Sequence, residues 1–240
     1  NDPDLQAFSG TAEGEVLTSR HGGAGFRSNG SVNVPVIQDK LAVRAVGWVT
    51  RDEGYVDNVR LNLRDINNED TSGGRLSVKF APTEDLSLTA LGLYQKREVD
   101  GTGRVNIGGL QEIYADNLIA SGLEVVDPVG NLSNQDFTVD NWDDEVQLHS
   151  LVGTYATGFG TFLATTNYVK TDVNYRFDST PILLSFNSPT PALTYQPQSR
   201  RIWSSEIRFT SDFKGPFQMV MGGFIDREFY SSIAVGHHFA

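Results

Sequence analysis

The stretch Trp203-Ser204-Ser205-Glu206-Ile207-Arg208-Phe209-Thr210 decides the fold class. Its odd-numbered positions carry the large apolar side chains Trp203, Ile207 and Phe209, whereas its even-numbered positions are polar or charged. Because successive side chains of a β-strand point to opposite faces, this alternation predicts a strand with one apolar face and one polar face.

Strand-like segments recur along the chain, and helical periodicity is nearly absent. We predict nine strands, at 12–19, 26–34, 41–51, 75–80, 86–97, 146–156, 160–171, 202–210 and 217–229. Several reach about ten residues or more, whereas strands in globular proteins average about five or six. A tilted strand needs about nine to eleven residues to cross a bilayer, so the lengths favour a membrane protein.

The connections between these strands alternate in length. Short connections rich in Pro, Gly and Asp are expected at 35–40, 81–85, 158–160 and 212–216, and long outer loops at about 52–70, 98–145 and 172–200. A membrane barrel has tight periplasmic turns and extended outer loops, whereas a soluble sandwich has more evenly spaced turns. The sequence therefore predicts an all-β fold of antiparallel transmembrane β-barrel strands.

This fold predicts which side chains of the strand 202–210 point to lipid and which point to the barrel lumen. Trp203, Ile207 and Phe209 should face lipid, whereas Glu206 and Arg208 should face the lumen. Aromatic side chains should also gather where strands leave the hydrocarbon. The candidates for this girdle are Phe80, Phe159, Phe213 and Phe217 beside the short turns, and Trp48, Tyr94, Tyr168, Trp203 and Phe229 near the far ends.

Composition excludes several functional classes. The 240 residues carry a net charge of -11, which argues against a nucleic-acid partner because phosphates require a basic surface. The chain has no cysteine, so it forms neither a disulfide framework nor a thiolate metal site. The acidic start at 1–4 lacks the features of a signal peptide, so we expect the chain to begin at a processed or truncated end.

Several segments resemble the early barrel of TonB-dependent outer-membrane receptors. The likeness includes the hairpin Gly73-Gly74-Arg75-Leu76 followed by Ala81-Pro82-Thr83-Glu84-Asp85-Leu86. It also includes the segments 1–5, 34–44, 51–58, 65–71, 201–209 and 215–218. The likeness covers most of the chain except the loops 98–145 and 172–200.

The resemblance implies a barrel of 22 strands closed around a plug domain, located in the bacterial outer membrane. It implies import of a scarce small-molecule nutrient, such as an iron chelate, with energy from TonB. Partners would be outer-membrane lipid, lipopolysaccharide, and TonB acting through a plug that this sequence does not contain. Because nine strands cannot close such a barrel, we expect the chain to be a segment of a longer protein. The alternative is a small closed barrel that uses 231–239 as a tenth strand.

No catalytic signature is present, so the chain is expected to be neither an enzyme nor a cofactor-binding protein. The loop 98–145 holds eleven acidic residues and a single base, Arg104. A candidate calcium site lies within it, formed by Asp140, Asp143, Asp144 and Glu145, although an acidic run is more often a solvated surface. Outer-loop aromatic residues are candidates for ligand contact or for packing of the loops: Tyr55, Trp142, Tyr175, Phe177 and Tyr195.

Three functions remain open at this point. The first is a TonB-coupled importer, and the second is a passive channel or structural barrel in the same membrane. The third is a soluble all-β binding module. A plug sequence would distinguish the first from the second, and dependence on detergent would distinguish both from the third.

Overall fold

Nine long strands pair in chain order into one antiparallel sheet. A computed structural model of the protein describes residues 2–105, 116–125, 132–184 and 191–238. The long strands are β1 (Ser9–Thr18), β2 (Ala24–Ile37), β3 (Leu41–Asp52), β5 (Asn68–Phe80), β6 (Leu86–Asp100), β8 (Asn141–Thr157), β9 (Gly160–Asp178), β10 (Ala192–Ser211) and β11 (Val220–Ser232). They are hydrogen-bonded in the order β1-β2-β3-β5-β6-β8-β9-β10-β11, which confirms the prediction of nine antiparallel strands.

The remaining elements are short. β4 (Asp57–Asn58) and β7 (Ser133–Asn134) form a parallel pair between two loops. β12 (Val235–His238) pairs with β10 beyond the end of β11, so it continues the edge that β11 begins. The described residues therefore form an open sheet with β1 and β11 at its edges, and the alternative of a closed ten-stranded barrel is wrong.

The register gives the sheet two chemically distinct faces. One row of directly paired residues contains Phe80, Leu88, Gly153, Ala164 and Ile207, and we call their side the apolar face. The adjacent row lies on the polar face and contains Lys79, Thr89, Val152, Thr165 and Glu206. As predicted, Trp203, Ile207 and Phe209 share one face, and Glu206 and Arg208 share the other.

The two ends of the sheet also differ. The turn end carries the connections 38–40, 81–85, 158–159 and 212–219, and the loop end carries 53–67, 101–140 and 179–191. β9 and β10 extend further toward the loop end than the sequence predicted, because 172–178 and 192–200 are strand rather than loop. The outer loops are correspondingly shorter than expected.

Two groups of aromatic residues mark the apolar face. Tyr94, Tyr168 and Trp203 each lie eight residues from the turn-side end of their strand. At the turn end the rings of Phe159, Phe162, Phe209 and Phe213 form one cluster, with the Phe162 and Phe209 centroids 4.8 Å apart. Trp48 was predicted to join the girdle, but it lies on the polar face, where its indole covers Gly73.

The loop 101–140 contains a helical turn at 116–120. Leu118 is fully buried there against Leu123, Val125 and Phe137, whereas Ile119 is exposed. The described residues include no helix that is long and apolar enough to cross a membrane.

A substitution of Gly73 by Ala should destabilise the sheet. An added Cβ would lie 2.4 Å from the Trp48 ring and 2.8 Å from the Tyr94 carbonyl oxygen, so the indole must move. Overpacking of this kind costs about 1–3 kcal/mol. Gly223→Ala is the matched control, since nothing lies within 4 Å of its added Cβ. Urea titrations of the purified protein should show a loss only for Gly73→Ala, and equal stability of both variants would contradict this packing.

Candidate functional site at the loop end

Three aromatic side chains pack together on the polar face at the loop end. Trp142 of β8 pairs directly with Tyr175 of β9, and their ring centroids lie 5.0 Å apart. Phe177 follows two residues after Tyr175 on the same face, and these two rings stack at 4.9 Å with an interplanar angle of 19°. The strand register therefore assembles three flat surfaces at the rim of the polar face.

Arg104 from the loop 101–140 completes this group, which we call the rim cluster: Arg104, Trp142, Tyr175 and Phe177. Its guanidinium carbon lies 6.0 Å from the Tyr175 ring centroid and 5.6 Å from that of Phe177, and it donates a hydrogen bond to the Tyr175 hydroxyl. Aromatic faces attract a cation in this geometry. The Arg104 side chain is 55% exposed, and its Nη1 lies 3.8 Å from the buried Asp140 Oδ2, so an ion pair holds one side of the guanidinium while the rest remains accessible.

A buried carboxylate fixes the indole of the rim cluster. Asp144 accepts a hydrogen bond of 2.9 Å from Trp142 Nε1 and one of 2.7 Å from Arg97 Nε. Arg97 and Asp144 are direct neighbours across β6 and β8, so strand pairing sets this contact. The indole is thus held in one orientation before any ligand arrives.

The loop 53–67 brings Tyr55 to the same region. The Asn67 side chain accepts hydrogen bonds from the Tyr55 and Val56 backbone N–H groups at 2.7 and 2.8 Å. A Cβ added at Gly103 would lie 3.7 Å from the Tyr55 hydroxyl, which places this hydroxyl beside the backbone that precedes Arg104. Tyr55 is therefore adjacent to the rim cluster.

The outer loops are joined to each other. Arg60 donates hydrogen bonds to the backbone carbonyls of Gln135 and Glu124 at 2.8 and 2.7 Å, and its guanidinium carbon lies 4.0 Å from the Phe137 ring centroid. The side chain of Asn58 donates to the Asp136 carbonyl at 2.9 Å. These contacts fix the loops 53–67 and 101–140 as one unit.

A group of three acidic residues connects this unit to the end of β9. Asp178 accepts hydrogen bonds from the Phe137 and Thr180 backbone N–H groups, and Asp140 accepts from the Asp178 backbone N–H at 2.8 Å. Burial, with further contributions from the nearby Asp178 and Asp140, raises the pKa of Asp136 to about 7. Burial also raises the pKa of Asp140, while hydrogen bonds from the Asp178 backbone and Thr102 act in the opposite direction.

Comparison with known proteins shows what this architecture is similar to. No family model matches the sequence, and no curated protein matches it. The structure is similar to the ferric yersiniabactin uptake receptor FyuA from Yersinia pestis, with 15% identity, a TM-score of 0.75, and coverage of 99% of this chain and 33% of that chain. It is also similar to the ferric citrate transporter FecA in its unliganded form, with 15% identity, a TM-score of 0.64, and coverage of 100% and 31%.

The chain has the fold of a TonB-dependent receptor barrel. It spans about a third of the length of each of these two proteins. The expected resemblance in fold is therefore confirmed, and the open sheet corresponds to one portion of the wall of such a barrel.

The structure groups four of the five aromatic candidates and separates the fifth. Trp142, Tyr175 and Phe177 form the rim cluster, and Tyr55 is adjacent to it. Tyr195 pairs with Arg176 and lies on the apolar face, where its hydroxyl donates to Asn174 at 2.9 Å. An extended β10 makes the odd-numbered Tyr195 face away from Phe177, whose partner is the even-numbered Thr194.

The four calcium candidates do not converge. Asp143 and Glu145 lie on the apolar face, whereas Asp144 lies on the polar face and pairs with Arg97. Asp140 bonds instead to Thr102 and to the Asp178 backbone. The described residues include no group of three possible ligands that could hold a metal ion, and the four candidate acids are not brought together.

Sequence reasoning missed the role of Arg104 in the site. Its isolation as the only base in an acidic loop was visible, but its position over Tyr175 depends on how the loop folds back. The proximity of Asp136, Asp140 and Asp178 was also not predictable, because 38 residues separate Asp140 from Asp178.

Asp136→Asn should stabilise the joined loops at neutral and higher pH. A carboxyl whose pKa is raised from 3.8 to about 7 favours the folded loops fully below 3.8, and this contribution is lost as the pH rises through about 7. Hydrogen-exchange protection of 132–140, corrected for intrinsic rates, should therefore fall between pH 5 and 8 in the wild type and fall clearly less in Asp136→Asn, where Asp140 still titrates. Asp116→Asn, at an exposed position of the same loop, should behave like the wild type. A flat wild-type profile would contradict the raised pKa.

Proposed function

We propose that this chain forms part of the wall of an outer-membrane receptor that takes up a ferric chelate with energy from TonB. The observation that carries the proposal is the rim cluster, which places an accessible cation beside three aromatic rings on the polar face of a barrel wall.

The apolar face supports a location in a membrane. Large apolar side chains on it are solvent-exposed in the described residues, including Leu76 at 53%, Ile207 at 59% and Ile225 at 59%. From the turn end to the level of Tyr168 this face spans roughly 20 Å, given about 3.3 Å per residue and a strand tilt of about 40°. That height approaches the apolar band of about 25 Å in outer-membrane barrels. Contact with the hydrocarbon of a membrane would remove these apolar side chains from water.

The polar face would then line the lumen, and the rim cluster would lie at its outer entrance. Ferric chelates are commonly anionic and present flat or aromatic groups, so Arg104 supplies the charge and Trp142, Tyr175 and Phe177 supply stacking surfaces. Asp144 and Arg97 hold the indole in place, which reduces the conformational entropy lost on binding. FyuA takes up ferric yersiniabactin and FecA transports ferric citrate, and this supports the same ligand class here.

Active uptake rests on the family fold. A wide barrel that holds a plug needs energy to open, and in this family TonB supplies that energy through the plug. The outer-membrane lipids, including lipopolysaccharide, would surround the apolar face. The location, the energy source and the ligand class are all parts of the proposal.

The experiment compares two tyrosines on opposite faces at the same end of the sheet. Tyr175→Ala should weaken binding of an anionic ferric chelate about tenfold, because a stacked aromatic contact contributes about 0.5–1.5 kcal/mol and Arg104 loses its hydroxyl partner. Tyr195→Ala is the matched control, since its ring lies on the apolar face. Uptake of labelled iron chelates by cells, with and without TonB, measures both parts of the proposal.

The outcomes separate the alternatives. Loss of uptake in Tyr175→Ala cells and in cells lacking TonB supports the receptor, while Tyr195→Ala cells should transport normally. Equal effects of the two substitutions would remove the rim cluster from the ligand path. Conductance that needs no TonB, in a protein that binds no chelate, would indicate a passive channel instead.

A further inference from the structure

The positively charged strand residues of the polar face fall into two groups. One group forms ion pairs with acids of the same face: Arg27 with Asp52, Arg97 with Asp144, Arg200 with Glu228, and Arg208 with Glu206. The other group consists of Arg44 on β3 and of Arg75 and Lys79 on β5. None of these three takes part in an ion pair among the described residues, and we call them the basic cluster.

The strand register brings the basic cluster together around Ser77. Arg44 pairs directly with Ser77 across β3 and β5, while Arg75 and Lys79 are the adjacent residues of β5 on the same face. Ser77 is only 2% exposed, which indicates that long neighbouring side chains cover it. Cβ atoms at such diagonal positions of two strands are about 7–8 Å apart or less, so the three positive charges repel one another.

The neighbouring strands supply no acidic side chain to relieve this repulsion. On the polar face, the positions beside the cluster are Ser31 and Asn33 on β2, and Thr89, Leu91 and Leu93 on β6. Arg44 Nη2 donates to Ser31 Oγ at 3.2 Å, but Arg44 Nε is buried and has no hydrogen-bond partner within the described part of the chain. In a protein with a net charge of -11, these adjacent unpaired cations form a local excess that an anion would neutralise.

The basic cluster lies at the turn end of the sheet, opposite to the rim cluster. Lys79 is the last residue but one of β5, and it lines a cavity of about 610 Å³ between the N-terminal segment and the turn 81–85. The other polar residues that line this cavity are Gln6, Asp39, Lys40, Thr83, Glu84 and Ser87. Cavities of this size accept small organic molecules, so there is room for an anion beside Lys79.

The side chains of the basic cluster are suited to carboxylates. The guanidinium groups of Arg44 and Arg75 present paired N–H donors that match the two oxygens of a carboxylate, and Lys79 adds a third positive charge. A small molecule with several carboxylates can place one of them on each cation. A single monovalent anion would neutralise only part of the cluster.

We propose that the basic cluster is a second anion-binding site, which takes the carboxylate groups of a small ligand at the turn end of the polar face. Its role in transport rests on the proposed function. An anionic chelate would meet Arg104 of the rim cluster first and the basic cluster afterwards, at the opposite end of the same face. Binding of carboxylates by the cluster does not itself depend on transport.

The test measures binding of tricarballylate, a metal-free tricarboxylate, to the purified protein in detergent by isothermal titration calorimetry at constant ionic strength. The parent protein carries Arg104→Gln, so that the rim cluster contributes no cation. In this parent, Arg44→Gln/Arg75→Gln should weaken binding about 100-fold, because each lost hydrogen bond between charged groups reduces the affinity about tenfold or more. The uncharged trimethyl ester should not compete.

The matched control is Arg208→Gln, which removes a cation from the same face near the same end of the sheet. Because Arg208 has Glu206 as its partner, this variant should bind tricarballylate as the parent does. Without the anion, Arg44→Gln/Arg75→Gln should melt at a higher temperature than the parent, since the repulsion is removed. Should this double variant fail to fold, Lys79→Gln, which is expected to weaken binding about tenfold, takes its place.

The site is overturned if the variant of the basic cluster binds tricarballylate like the parent, if Arg208→Gln weakens binding equally, or if the trimethyl ester competes. Absence of binding in the parent, which an acidic protein segment on the cluster would cause, overturns it as well. In cells with Arg104 intact, Arg44→Gln/Arg75→Gln should leave chelate binding unchanged and slow uptake, and normal uptake would refute the role in transport. Loss of the chelate site at the rim with retained tricarballylate binding would refute the proposed function alone, so the two failures are distinguishable.

Discussion

The constraint on which the rest of the structure depends is the antiparallel register from β1 to β11, which shifts among the described pairs only between Pro35 and Ile37, next to a turn. Each strand has polar backbone groups on both edges, and a neighbour must satisfy them where one face meets no water. Because the side-chain period is two, a slip of one residue in any pair would exchange the two faces of every following strand. The register therefore determines at once which side chains share the apolar face and which share the polar face.

The same register assembles the site. Trp142 meets Tyr175 because β8 and β9 pair without interruption from the turn at 158–159 to the loop end. Asp144 meets Arg97 because β6 and β8 pair in the same way. Loops add Arg104 and Tyr55 at the rim, and the loops 53–67 and 101–140 that carry them are hydrogen-bonded to each other. A rigid wall thus carries the aromatic surfaces, and joined loops carry the accessible charge.

The sequence predicted the part of the fold between the turn end and the level of Tyr168 and Trp203, because there the chemistry of alternate positions differs sharply. Closer to the loop end both faces carry polar side chains, and the alternation disappears. This is why 172–178 and 192–200 were predicted as loop. Pro197 lies where the pairing partner of β10 changes from β11 to β12, a position that tolerates its missing N–H. Because β10 is longer than predicted, Tyr195 lies on a strand, and its odd position assigns it to the apolar face.

Trp48 shows a second limit of sequence reasoning. Its position along β3 suits a girdle, but its parity assigns it to the polar face, and the space it fills exists because Gly73 stands opposite. Arg104 shows a third limit, since a single base among acids has no periodicity that reveals its partners. Residues on strands were predictable from pattern, whereas contacts made by loops required the folded structure.

The central claim is that alternate residues of β10 face hydrocarbon. The chain contains no cysteine, so single cysteines introduced at each position from 203 to 210 can carry a spin label without background reaction. In the protein reconstituted into bilayers, the label should show high oxygen accessibility at odd positions and high accessibility to a water-soluble nickel complex at even positions. A profile without this period of two, or one with the two faces exchanged, would contradict the account.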